Sequence, residues 1–556
     1  APRPLRRRSA GPSGKPLNVL FIFTDQERYF RRLPPGLSLP AHERLMRTGT
    51  TFENHYIGAV MCTSSRSIML TGLQTADNGM FENADMPWVP DLDPKIPTLG
   101  TMLRKAGYYT AYKGKWHLTK SFDQHSPERL FTAEMDAHGF ADYASPGDVV
   151  GHTLGGYEFD HLIGGSVLTW FRRHGVELSA QGKPWALTTS LVNPHDIMYF
   201  NSDGPGAKVQ DNGKLLKHVA RAPDVPIYQA HWDMPLPATN KEALRSAVRP
   251  GAHAEYQEAW DALLGHVPNE ADRWSRFNDF YINSIRAVDA QVMNILNELD
   301  TLGLSDNTII VFTADHGEMA GAHGGIRGKG PFAYEESLHV PLMIVHPEVQ
   351  GGHSTRALTS HIDLVPTLMS LAGAGDKTAE FAGRTLPGRD FSSLLAKRNA
   401  GVNELRESVL FAYSGIAAND AQMVKAAADA IVSGKGIASL QAAGVKPDLS
   451  KRGTLRSTFD GRYKFTRYFS PMQRHRPGNI DQLYAHNDLE LFDLASDPNE
   501  ARNLAATKGQ NDELVLAMSA KLERAIAAEI GVDDGREMPD LNGKDLNWAL
   551  PMNALD

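Results

Sequence analysis

Continuous apolar runs that end abruptly in polar residues set the rhythm of the first 320 positions. Asn18-Val-Leu-Phe-Ile-Phe-Thr24 runs straight into Asp25-Gln26-Glu27-Arg28. The same grammar recurs where Tyr108–Tyr112 meets Lys113-Gly-Lys115-Trp-His117, and where Trp185–Val192 meets Asn193-Pro-His195-Asp196. It appears again where Thr308–Thr313 meets Ala314-Asp315-His316-Gly317. A run without polar alternation predicts a strand covered on both faces, as in a parallel sheet. Between these runs the period changes to that of helices. Pro97-Thr98 opens a segment through Leu103 and Ala106 that Gly107 closes. Tyr281, Ile285, Val288, Val292, Ile295 and Leu299 form one apolar stripe on a long helix ending near Gly303. Pro366 to Ala372 predicts a shorter helix stopped by Gly373. Alternating strands and helices predict an α/β fold, a doubly wound, mostly parallel sheet sandwiched by helices. In such a sheet, polar residues at the carboxyl ends of four strands converge on one site.

The texture then shifts. Residues 200–275 are rich in Gly, Ala, Pro and polar side chains, and predict a long insertion capping that site. From about 406 the runs are short and aromatic. Ser408–Tyr413, Leu455–Asp460 and Tyr463–Phe469 predict strands, with Asp460-Gly461 as a hairpin turn. An Ala-rich, helical stretch (418–445) interrupts them, and a helix follows from Asp512 to Ile530. The expected organisation is a flexible basic tail (1–16), a catalytic α/β domain (17–405) and a smaller C-terminal α+β subdomain with an antiparallel sheet (406–534). A tail (535–556) completes it, and its Trp548, Leu550 and Met552 predict a contact in a homodimer or higher homo-oligomer.

Composition narrows the classes. With 42% hydrophobic and 22% charged residues the chain has the profile of a folded globular protein. No stretch approaches the roughly 20 apolar residues of a spanning helix, so no membrane span is expected. The net charge of −8, with basic residues clustered only at the start, argues against a nucleic-acid partner. That start lacks the about 7–15-residue apolar segment of an intact secretory signal, which predicts a cytoplasmic protein, or a periplasmic one if a signal has been removed. The single cysteine, Cys62, can form neither an internal disulfide nor a cysteine metal cage.

Asp25, Asp315 and His316 at neighbouring strand ends form a cluster of oxygen ligands with one imidazole. Bare carboxylates packed together raise each other's pKa, and a divalent cation resolves that conflict. Mostly oxygen ligation points to calcium or magnesium, and the imidazole leaves manganese open. Thr63, Ser64 and Ser65 are cap-forming residues ahead of an apolar run, which places Cys62 at a helix N-terminus with Arg66 one turn on. That end of a helix favours an anion.

Cys62-Thr-Ser-Ser-Arg66, with Leu70-Thr-Gly72 behind it, resembles the Cys-x-Pro-Ser-Arg signature of the formylglycine-dependent sulfatases of the alkaline phosphatase superfamily. The resemblance extends in order through Asp25, Gly114-Lys-Trp-His117, Asn193-Pro-His195, Asp315-His-Gly-Glu318, Lys329, Tyr334–Pro341 and Leu491–Glu500. It implies that Cys62 is converted by a formylglycine-generating enzyme to formylglycine, whose hydrated aldehyde supplies the oxygen nucleophile beside one divalent cation, calcium first. Asp25, Gln26, Cys62, Asp315 and His316 would surround that cation. Arg66 would orient the nucleophile, Lys115 and His117 would contact it and the sulfate, and His195 and Lys329 would serve the sulfate and the departing alkoxide. Asn78, where the family often has His, is a candidate substrate contact.

Three positions depart from the family pattern: Ser64 replaces the signature proline, Gln26 replaces a second Asp, and Asn78 replaces His. Asp25-Gln26 is more similar to the choline-sulfatase and phosphonate monoester hydrolase branches, whereas Lys115 and His117 resemble arylsulfatases. The expected activity is hydrolysis of small sulfate monoesters, aryl sulfates foremost, to inorganic sulfate and an alcohol or phenol. The alternatives are phosphonate monoester or phosphate diester hydrolysis on the same site, and a non-catalytic anion binder with an unmodified Cys62.

Overall fold

The computed structural model describes residues 16–539, apart from 87, 124–129, 144, 146, 149–152, 211–212, 214–218, 417–418, 436–437, 444, 446 and 473–476. The basic start and the proposed oligomer contact at Trp548, Leu550 and Met552 lie outside the described residues.

A seven-stranded sheet is built from β1 (Asn18–Asp25), β2 (Thr50–Phe52), β3 (Tyr109–Gly114), β4 (Trp185–Pro194), β5 (Thr308–Ala314), β6 (Leu342–Val345) and β7 (His353–Thr355), in the order β3-β4-β1-β5-β6-β2-β7. Only β6 runs against its neighbours, so the sheet is mostly parallel, as the apolar runs predict. β1 lies between β4 and β5, with Val19 opposite both Ala186 and Ile309.

Alternate residues of β1 feed different cores, because successive side chains in a strand point to opposite faces. The helices are α1 (Pro40–Thr48), α2 (Cys62–Thr71), α3 (Leu99–Lys105), α4 (Gly155–Trp170), α5 (Ala271–Thr301) and α6 (Leu364–Leu371). Val19, Phe21 and Phe23 pack with Met69 and Leu70 of α2, Met102 and Leu103 of α3, and Leu364 and Leu368 of α6. Leu20 and Ile22 pack with Leu45 of α1, Val167 and Trp170 of α4, and Val288, Val292, Ile295 and Leu299 of α5. Three of the predicted helices are therefore present; the α5 stripe faces the sheet from Val288 to Leu299, while Tyr281 and Ile285 pack with Ile197, Phe200 and Tyr228. The sequence pattern did not single out α1 or α4; α4 carries four glycines, which blur its apolar face.

Within 200–275, Phe200 and Tyr228 pack on Trp274, Phe277 and Phe280 of α5. Tyr256 donates a hydrogen bond to the Arg327 carbonyl at 3.0 Å, two residues from Lys329.

The C-terminal part holds a separate antiparallel sheet, β8 (Val409–Tyr413), β9 (Thr454–Phe459), β10 (Tyr463–Phe469) and β11 (Asp488–Asp493) in sequential order. The Asp460-Gly461 turn forms as expected, with Gly461 at φ 94° and the Asp460 carboxylate accepting the Tyr463 amide at 2.7 Å. One face of this sheet buries Leu410, Phe465 and Leu491 against Val515, Met518 and Leu522 of α7 (Asp512–Glu529). The other buries Phe411, Leu455 and Phe492 against Met319, Phe332 and Tyr334, in the segment that follows β5. Among the described residues no helix is long and apolar enough to cross a membrane.

Candidate active site

The carboxyl ends of β3, β4, β1 and β5 lie side by side, and each delivers a polar residue. β1 ends on Asp25, β5 leads to Asp315 and His316, β3 to Lys115 and His117, and β4 to His195; all six are buried. α2 points its first residue, Cys62, at this row from the opposite side. Two side chains of its first turn fasten it there. Thr63 Oγ1 donates to the His117 carbonyl at 2.7 Å, and Ser65 Oγ donates to the Asp315 carbonyl. Ser64 lies in the same turn, where a backbone amide has no partner one turn earlier within the helix, so serine and proline both suit the backbone there.

Cys62 Sγ lies 3.1 Å from His316 Nε2 and 3.8 Å from Asp25 Oδ1. His316 Nε2 is 3.7 Å from Asp25 Oδ1 and 3.5 Å from Asp315 Oδ1. These are the separations that ligands take around a central cation at about 2.1–2.4 Å. The outer oxygens are committed elsewhere. Arg66, wholly buried, donates from Nε to Asp315 Oδ2 and from Nη2 to Asp25 Oδ2, both at 2.8 Å. Lys115 Nζ adds a contact to Asp25 Oδ2 at 2.6 Å. Each carboxylate thus gives one oxygen to a cation of the protein and turns the other toward the cluster. The donor set fits the metal that the sequence predicts, with Asp25, Cys62, Asp315 and His316 converging on one point.

The electrostatics agree. Burial alone would raise the Asp25 carboxyl, yet Lys115, His195, Arg66 and His316 hold it well below the usual carboxylate range. Burial pushes His316 down, toward the neutral form a metal ligand requires. His195 is pushed well below its ordinary value by burial and by Lys115, with Lys329 and His316 adding to it. His117 goes the other way: burial opposes its charge, but Asp85 and Cys62 raise it.

Close packing sets the loops. A Cβ on Gly114 would lie 1.9 Å from the Ser190 carbonyl, and its φ of 95° suits glycine. The backbone then presents Lys115, Trp116 and His117, and the Asp148 carboxylate fixes them by accepting the Trp116 and His117 amides at 2.5 and 2.6 Å. Both ring nitrogens of His117 are buried and lack a hydrogen-bond partner among the described residues, with Asp85 Oδ1 3.8 Å from Nε2.

Gln26 stands at the site in a particular way. Its carboxamide accepts from Lys329 Nζ at 2.6 Å and donates to Glu318 Oε2 at 2.5 Å. Glu318 Oε1 in turn accepts the Ala320 and Gly328 amides at 2.9 and 2.7 Å. Gln26, expected among the residues around the cation, instead links the end of β1 to the loop that carries Lys329, with its oxygen on the lysine. Asn78 requires a correction. Its amide donates to Ser67 Oγ at 3.0 Å and the Leu73 carbonyl at 3.1 Å, and its oxygen accepts the Met80 amide at 2.9 Å. Those bonds cap the far part of α2, about 10 Å along its axis from Cys62, so Asn78 shapes the helix end and is not presented to substrate. Glu318 lay in a quoted motif without a role, whereas Asp85, Asp148 and Ser190 had no signal in the sequence.

Comparison with known proteins places this geometry. The family model described as Sulfatase matches residues 18–374. An N-acetylglucosamine-6-O-sulfatase of Bacteroides thetaiotaomicron is 26% identical over 397 residues, spanning 64% of this chain and 68% of that protein. A choline-sulfatase of Rhizobium meliloti is 29% identical over 387 residues, spanning 65% and 68%. The fold is shared with the phosphonate monoester hydrolase of Agrobacterium radiobacter, at a TM-score of 0.61, 20% identity and coverage of 92% and 96% of the two chains. With most of the main sheet inside the match and the ligand cluster at its strand ends, this chain belongs to the sulfatase family.

Proposed function

We propose that this protein hydrolyses sulfate monoesters, aryl sulfates most efficiently, with Cys62 converted to formylglycine as the nucleophilic position. The supporting observation is the placement of the only thiol of the chain in a buried cluster with Asp25, Asp315 and His316, ringed by Arg66, Lys115, His117, His195 and Lys329. Asp25, residue 62, Asp315 and His316 would hold one divalent cation, calcium by its oxygen-rich ligation. That cation supplies positive charge next to the attacking oxygen and the ester.

The residues of the chain do the rest. Arg66 helps to keep Asp25 ionised and holds both aspartates in line through its two hydrogen bonds. Lys115 and His117 face the sulfate oxygens from the β3 loop. A sulfate ester carries one negative charge and develops more on the leaving oxygen, so donors must meet that oxygen. Lys329, steered by Gln26, and His195 are placed to do so. His195 is held neutral, which makes it a hydrogen-bond donor, and the proton for the departing alkoxide falls to Lys329. Modification by a formylglycine-generating enzyme belongs to the same proposal.

Hydrolysis of phosphonate monoesters or phosphate diesters is the second reading, favoured by the Asp25-Gln26 pairing and by the fold shared with a phosphonate monoester hydrolase. Both substrate types bring a single charge. The test measures kcat/KM for a sulfate monoester, a phosphate diester and a phosphonate monoester with one common leaving group. The sulfate is expected to lead. A phosphonate or diester preferred by about tenfold or more, roughly 1.4 kcal/mol in transition-state binding, overturns the sulfate reading. His117→Ala is expected to lower turnover on all three by ~10²–10³.

A further inference from the structure

A second group of ligand atoms lies apart from the active site and shares no residue with it. His323 sits in the turn Ala322–Gly325 after β5, Glu336 in the short helix Glu335–Leu338, and Glu500 beyond β11. One ligand atom from each falls within 4.8 Å of the others. The His323 and Glu500 side chains are 0% and 1% exposed, and that of Glu336 is 21% exposed. Among the described residues neither ring nitrogen of His323 has a hydrogen-bond partner, nor does Glu336 Oε2. Buried polar atoms are almost always satisfied, so this many unsatisfied in one place calls for an occupant.

The spacing identifies it. His323 Nε2 and Glu336 Oε2 are 3.6 Å apart. That is too long for a hydrogen bond, and it is the separation of two ligands across a tetrahedral ion at about 2.1 Å. A third carboxylate stands beside the ring, with Glu242 Oε2 3.5 Å from the other nitrogen, Nδ1. Tyr334 stacks on the imidazole at 3.5 Å and 8°, which fixes its plane. Glu500 is aligned by the Glu335 amide on Oε2 at 2.7 Å and by Lys464 Nζ near Oε1 at 2.9 Å. A carboxylate oxygen has two lone pairs, so the ammonium leaves one for an ion.

We propose that His323, Glu336 and Glu500 form a second divalent-cation site, selective for zinc or manganese because one imidazole joins two carboxylates. The ion ties the segment carrying His316 and Lys329 to the segment beyond β11, and its role is structural.

The test strips full-length protein with a chelator, reloads it with Zn²⁺ alone or Mn²⁺ alone, and counts bound metal after gel filtration. Wild type is expected to hold two equivalents of at least one of them, and Asp315→Asn to keep one. His323→Asn and the gentler Glu336→Gln are each expected to lose one relative to wild type. In Asp315→Asn the same ion is expected to raise the thermal midpoint, and to lose that effect when His323→Asn is added. A wild type holding one equivalent that Asp315→Asn abolishes overturns the proposal, as does a folded His323→Asn variant with an undiminished count. An equivalent that survives Asp315→Asn and disappears with His323→Asn supports this site whatever the active site binds.

Discussion

His42 on α1 offers a stability prediction that follows from geometry near the end of β1. Its Nε2 lies 2.7 Å from Glu27 Oε1 and its Nδ1 2.6 Å from Asp289 Oδ1 of α5. Glu27 Oε2 also accepts Thr24 Oγ1 at 2.8 Å, so the imidazole joins two helices' packing to the residue before Asp25. Burial alone would lower the His42 pKa, but the two carboxylates raise it to about 10. A raised pKa in the folded state stabilises the fold fully below the ordinary value of 6.5, and the contribution disappears as pH rises through about 10. The gap between those values corresponds to about 5 kcal/mol. With an unfolding entropy of ~2.1 cal/mol/K per residue, 556 residues melting as one unit convert that into a midpoint shift of about 4 °C. The assay compares the thermal midpoints of wild type and His42→Gln from pH 6 to 10. Wild type is expected to lead at pH 6 and the gap to close by pH 10. A gap that stays constant across the range refutes a charge on His42 and the reasoning built on it.

Three further outcomes follow. Cys62→Ala is expected to abolish turnover while circular dichroism remains that of the wild type; near-normal hydrolysis would remove Cys62 from the mechanism. Asp315→Asn is expected to lower both active-site metal and rate, because it takes away one cluster carboxylate and one partner of the buried Arg66; unchanged metal affinity would contradict the ligand assignment. Asn78→Ala is expected to cost about 1–3 kcal/mol of stability and leave KM for an aryl sulfate unchanged, whereas a raised KM with normal stability would restore it as a substrate contact.

The strands that carry the site were legible because a strand buried on both faces is a continuous apolar word, and the polar residue that ends it marks the sheet's working edge. Asp25, Lys115, His195 and Asp315 were found that way. Thr63, Ser64 and Ser65 announce the helix start beside Cys62, but its role comes only with the family resemblance, and the Thr63 and Ser65 hydroxyls bond the His117 and Asp315 carbonyls rather than capping the helix. The last two strands at one end of the sheet, Thr50–Phe52 and His353–Thr355, are three residues each, too short to show a period. β11 was missed because Asp488-Leu-Glu-Leu-Phe-Asp493 gets its burial from β10 and α7 and not from its own composition. The supporting acids were invisible for a related reason. Asp148 acts on amides about 30 positions earlier, and Glu318 acts through Gln26 across 292 positions. Asn78 shows the opposite error. A position carried over from a resemblance holds a side chain whose hydrogen bonds run to Ser67, Leu73 and Met80, around the C-terminal part of α2.

The nucleophile at residue 62 is tested by mass analysis of its peptide, from a preparation that is turning over an aryl sulfate. Conversion to formylglycine replaces the thiol and one hydrogen of its carbon with a carbonyl oxygen, a net loss of H₂S and gain of one oxygen. That mass, or its hydrate, is expected in a fraction that rises with specific activity. An active preparation whose residue 62 is wholly an unmodified cysteine would contradict that assignment.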